Sequence, residues 1–101
     1  MNIGEEIVGE YLRLCEACQF IQYNLSTPDT QGEIDVVGIN LEDHRIFVCE
    51  VAVHLETGLQ YVRDNQPDNV ARLCKKFIKD IEYAQKYFPD YTPVAMLWSP
   101  I

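Results

Sequence analysis

Gly32-Glu33-Ile34-Asp35 and Phe47-Val48-Cys49-Glu50-Val51 are the stretches of this chain best suited to chemistry. In the first, an acid closes an apolar strand-like run; in the second, an acid sits inside one. A carboxylate on an apolar strand costs several kcal/mol unless it is paired or bound to a metal. Two adjacent ones repel each other until a cation sits between them. Mg²⁺ and Mn²⁺ take oxygen ligands, and a pair of carboxylates can anchor such ions for phosphodiester hydrolysis. In the alternative, each acid pairs with an arginine or caps a turn, and Arg45 and Arg72 are available.

The elements that must position these acids follow from periodicity. Asn2 with Glu5 reads as a capping box opening a helix. Ile3, Ile7, Tyr11, Leu14 and Cys18 recur at helical spacing, with Val8, Leu12 and Cys15 widening the stripe and Glu6 and Glu10 along one edge. Phe20 to Leu25 reads as a strand, followed by a loop through Gly32. Glu33–Ile39 and Arg45–His54 read as a hairpin across Asn40–His44. Alternation places Asp35 with Glu33 and Val37, and Glu50 with Val48, Ala52 and His54. Pairing in register brings Asp35 and Glu50 to one side. Residues 55–69 are polar and read as a long loop or a frayed helical turn. From Asp68 as N-cap, Val70, Leu73, Phe77, Ile81, Ala84 and Phe88 mark a second amphipathic helix, stopped before Pro89. Pro93 to Trp98 is a last apolar strand. The order is αβββαβ: an α/β fold whose four-stranded mixed sheet is flanked by two helices. The last two strands run parallel through a right-handed crossover.

A chain of 101 residues, 48% apolar, makes one domain with a modest core. No apolar run reaches the roughly eighteen residues of a membrane span, and the N-terminus is acidic, so a cytoplasmic protein is expected. Its cysteines are then reduced. Cys15 and Cys18 form a CxxC without a second such pair, and Cys49 and Cys74 stand singly, so apolar packing is expected over zinc. The net charge of −8, with 8 Lys and Arg, opposes strong nonspecific DNA affinity, because that affinity comes from cations meeting phosphates. Ending on Ile101 just after an apolar strand, the domain reads as truncated at its C-terminus. It is expected to associate with itself or with its missing part. There is no Gly-rich phosphate loop and no GxSxG turn. Tyr61, Tyr83, Tyr87, Tyr91 and Trp98 could stack bases, although most occupy packing positions.

Gly9-Glu10, Gly32-Glu33-Ile34-Asp35 and Ile46-Phe47-Val48-Cys49-Glu50-Val51 together resemble the PD-(D/E)XK nucleases, in particular small bacterial relatives of Holliday-junction resolvases. The resemblance runs over about residues 4 to 98. It implies a restriction-endonuclease-like fold and a Mg²⁺- or Mn²⁺-dependent endonuclease acting on DNA. Glu10, Asp35 and Glu50 would hold the ion, with the carbonyl of Val51 as a further ligand. The family's lysine two residues after the Glu is replaced by Ala52, which can neither stabilise developing charge nor orient water. Some members carry that lysine on the following helix, where Lys76 borders the apolar stripe and Lys75 points further out. Asp35, Glu50 and Lys76 are thus the candidate catalytic residues. His54 shares the face of Glu50 but lies roughly 13 Å along the strand, too far to replace the lysine. Two other readings stand beside this one. The first is an inactive nuclease-fold module binding nucleic acid or a protein partner. The second is an acidic protein-interaction domain, which the charge favours.

Overall fold

Asn2 starts α1 (Ile3–Cys15) through both halves of the expected capping box. Its side chain accepts the Glu5 N–H at 2.8 Å, and its own N–H donates to the Glu5 carboxylate at 3.0 Å. The computed structural model describes residues 2–28, 32–52, 62–63, 66–67 and 69–98. At roughly 3.6 residues per turn, α1 has two apolar faces, and the sheet takes only one of them. Glu5, Val8, Gly9 and Leu12 are buried, while Ile3, Ile7 and Leu14 are exposed. The expected stripe therefore divides: Val8, Tyr11, Leu12 and Cys18 pack, while Ile3, Ile7, Leu14 and Cys15 face outward. Glycine decides the choice. A Cβ on Gly9 would lie 2.0 Å from the Tyr23 hydroxyl, and one on Gly38 would lie 2.8 Å from Leu12. Helix and sheet approach more closely there than any side chain would allow.

The strands are β1 (Phe20–Ser26), β2 (Glu33–Asn40) and β3 (Arg45–Val51), then the two-residue β4 (Val62–Arg63) and β5 (Gln66–Pro67). After these come α2 (Asn69–Tyr87) and β6 (Thr92–Trp98). The main sheet is ordered β1-β2-β3-β6, with β1, β2 and β3 antiparallel and β6 parallel to β3. This is the expected mixed α/β sheet with two helices. β3 ends at Val51, earlier than expected. His54, Tyr61 and Asp68 lie outside the described residues, while β4 and β5 pair with each other within the expected polar loop. The hairpin between β2 and β3 is pinned by Asn40, whose Oδ1 accepts the Asp43 N–H at 2.9 Å and whose Nδ2 donates to the Glu16 carbonyl at 2.9 Å. Among the described residues, no helix is long and apolar enough to cross a membrane.

Alternation along β3 divides the core. Phe47 and Cys49 pack on the α1 side with Val8, Leu12, Cys18 and Val36. Ile46 and Val48 pack on the other side with Ile34, Val37 and Ala84 of α2. In β2 the alternation breaks, since Ile34 and Val36 belong to opposite clusters. The same break occurs in β1, where Tyr23, opposite Val36, packs with α1, and Leu25, opposite Ile34, packs with α2. Between these pairs the ladder skips Asn24 and Asp35, and Asn24 takes a left-handed φ of 51°. Both strands change face at Asp35. Cys18 and Cys49 pack in the α1-side core as expected, whereas Cys15 and Cys74 are exposed. Tyr83 and Tyr91 pack against the α2-side cluster and Trp98 against the α1-side one, as packing residues do; Tyr87 is exposed.

Candidate active site

Glu50 follows Ile46 and Val48 on the β3 face that meets α2. As the crossover helix, α2 returns along the strands it joins. Four residues of helix advance about 6 Å, close to two residues of strand, so an i, i+4 row tracks alternate strand positions. Lys76, Asp80 and Ala84 form such a row. Ala84 meets the Ile46–Val48 cluster, and Lys76 reaches Glu50 with its Nζ 3.3 Å from Oε1. Asp80, between them, also faces Glu50. It is 0% exposed, and Glu50 is 2% exposed.

These two carboxyls are the least solvated charges of the site. With both carboxyls ionised, nothing among the described residues donates a hydrogen bond to Glu50 Oε2 or to either oxygen of Asp80. The two carboxyls hydrogen-bond each other only when one of them carries a proton. Burial first, then the neighbouring Asp80, pushes the Glu50 carboxyl up to about 8. Burial also raises Asp80, which the Glu50 hydrogen bond and the Lys79 ammonium pull back. Lys79 Nζ stands 3.8 Å from Asp80 Oδ1, closer to an ionic contact than to a hydrogen bond. That ammonium lies by Gly32, whose φ of 114° suits glycine and where a Cβ would come within 3.2 Å of it. The glycine of the GEID stretch thus leaves room for a lysine of α2.

Asp35 is half-buried at the point where β1 and β2 change face. Instead of a ladder bond, its Oδ2 accepts the Val51 N–H at 2.8 Å, closing the end of the hairpin. Burial raises its carboxyl, the Val51 bond lowers it, and Glu50 raises it again. Asp35, Glu50, Val51 and Lys76 are therefore gathered at one end of the sheet. Ala52 follows with its N–H on the Trp98 carbonyl at 2.8 Å. Arg45 lies at the far end of β3, its guanidinium 5.0 Å from the Phe47 ring centroid. The side chain of Arg72 lies outside the described residues, among which the cations meeting these acids are lysines of α2.

Glu10 does not join them. It shares the outer face of α1 with Ile7 and Leu14 and pairs with Arg13 at 2.7 Å, both side chains exposed. The inward acid of α1 is Glu5, which already accepts from Asn2 N–H and, at 3.2 Å, from Asn24 Nδ2. The residue that sequence reasoning missed is Asp80. Its signal was present: spaced three from Phe77 and four from Ala84, it interrupts an apolar stripe.

Among the described residues, no three acidic, histidine or cysteine side chains converge as a metal-ligand set. The donor chemistry nevertheless suits a hard divalent ion, because the oxygens left without donors are buried carboxylate oxygens. Comparison with family models, curated proteins and solved structures finds no match to this chain.

Proposed function

We propose that this domain is a restriction-endonuclease-like fold whose Asp35, Glu50 and Lys76 serve Mg²⁺-dependent hydrolysis of DNA. The observation that carries the reading is Lys76 Nζ at 3.3 Å from Glu50 Oε1. An ammonium from α2 stands beside the acid whose strand lacks a lysine at Ala52. When bound, Mg²⁺ supplies Lewis acidity, polarising a phosphoryl oxygen and making water a better nucleophile. Asp35 and Glu50 would hold it, with the Val51 carbonyl as a further ligand. Lys76 is half-exposed, so its ammonium can turn between the acid and a phosphate and offset charge developing there. Asp35, anchored to Val51, fixes the end of β3 and with it the orientation of Glu50. The net charge of −8 favours a second reading, an acidic interaction domain that keeps this fold without cleaving.

Cleavage of plasmid and branched DNA in Mg²⁺ or Mn²⁺ separates the two. Wild type should cleave, Lys76→Ala should lose about a hundredfold in rate, and Asp35→Asn should lose metal dependence. Ala52→Lys, which restores an ammonium on the face of Glu50, should rescue Lys76→Ala. Absence of cleavage by both wild type and Ala52→Lys, on every DNA form and with both ions, would reject the nuclease reading.

A further inference from the structure

The reading above leaves Asp80 without a task, although it is among the most buried charged groups in the described structure. A buried carboxylate with no donor is costly unless a proton or a cation compensates it. Here the deficit is shared across two elements: Glu50 Oε2 from β3 and both oxygens of Asp80 from α2. Among the described residues, two ammoniums, Lys76 and Lys79, stand near the three carboxylates Asp35, Glu50 and Asp80. The three acids of α1 cannot make up the ligand set as they stand, and Glu6 faces solvent. Glu10 is at the surface with Arg13, and both oxygens of Glu5 are already hydrogen-bonded.

We propose that Asp80 is the helix-borne carboxylate of the divalent-cation site, so that an ion is held between β3 and α2 and not from α1. This rests on reading Asp35 and Glu50 as cation ligands; the three carboxylates do not converge as a ligand set in this structure, so Glu50 and Asp80 are the pair that would face the ion. The two oxygens of Glu50 then divide their work, with Oε1 facing Lys76 and Oε2 on the side that lacks a donor. Lys76 and Asp80 are one helical turn apart. The same turn of α2 therefore supplies a ligand and the ammonium for the phosphate, and their spacing is fixed by helix geometry.

Mn²⁺ titration by calorimetry tests this on the full chain. Wild type should bind, Asp80→Asn should bind at least about tenfold more weakly, and Glu5→Gln, which keeps the capping box, should bind as wild type does. Circular dichroism identifies any variant that fails to fold. Independently of variants, wild type loaded with Fe²⁺ and treated with ascorbate and peroxide should break its backbone near residues 50 and 80. An Asp80→Asn protein that binds Mn²⁺ like wild type, or Fe²⁺ cleavage confined to α1, overturns the proposal. Loss of binding in Asp35→Asn but not in Asp80→Asn removes Asp80 alone and leaves the nuclease reading standing. Binding through Asp80 without cleavage of any DNA supports this site and removes the nuclease reading. Failure of wild type to bind any Mn²⁺ removes both.

Discussion

Glu50 ties stability to pH with a sign opposite to that of a salt-bridged surface acid. Its carboxyl rises from an ordinary 4.5 to about 8, chiefly through burial and then through Asp80. Between these values the native state holds a proton that the unfolded chain has lost. The contribution is therefore full below about 4.5, declines as pH rises, and is gone above about 8. Asp35 and Asp80, also raised, act in the same direction. The Lys76 and Lys79 ammoniums pull these carboxyls down without undoing the rise. Urea melts in chelator should show stability falling from about pH 5 to pH 8.5, and Glu50→Gln should flatten that slope. A wild-type slope that is level or rising would contradict the account. At this scale the sequence was readable wherever an acid stood in an obvious strand, as with Asp35 and Glu50. Lys76 was readable as a lysine bordering a stripe. Asp80 was not, because one polar residue inside an amphipathic pattern looks like a tolerated exception until the facing strand is known. Glu10 misled because the resemblance implied a helix-borne Glu, yet α1 turns it outward.

The elements were more legible than their docking. The capping box, the hairpin and the parallel last strand all follow from local spacing. Which face of α1 would be buried did not, because both faces carry aliphatic residues and hydrophobicity alone does not choose. Gly9 and Gly38 choose, by allowing Tyr23 and Leu12 to approach backbone. Gly9→Ala tests this. In an isolated helix the change would gain about 1 kcal/mol of propensity. Here the new methyl meets the Tyr23 ring, with 2.7 Å to Cζ and 2.0 Å to the hydroxyl. A net loss of about 1–3 kcal/mol is expected from overpacking, read as a lowered denaturant midpoint. A stabilised Gly9→Ala protein would mean that α1 is held some other way.

For the whole molecule, two surface features bear on association. Ile3, Ile7 and Leu14 form an outward row on α1, exposed by 73%, 60% and 69%. At the edge strands, Phe20 of β1 and Leu97 of β6 are also exposed. The double variant Ile7→Lys, Leu14→Lys should keep stability within about 0.5 kcal/mol, as exposed substitutions do. It should scatter less light at high concentration than wild type; a wild-type protein that is already monomeric there would contradict the expectation. The break of alternation at Asn24 and Asp35 has its own consequence, for folding. In an ordinary ladder, a slip of two residues keeps every side chain on its proper face, so the correct pairing competes with near copies of itself. β1 and β2 each change face once, and their changes coincide only when Tyr23 meets Val36 and Leu25 meets Ile34. A slip by two would set the change in one strand against a regular stretch of the other and turn aliphatic side chains toward water. The kink that carries Asp35 thus acts as a notch and key, leaving this pair of strands one way to zip together.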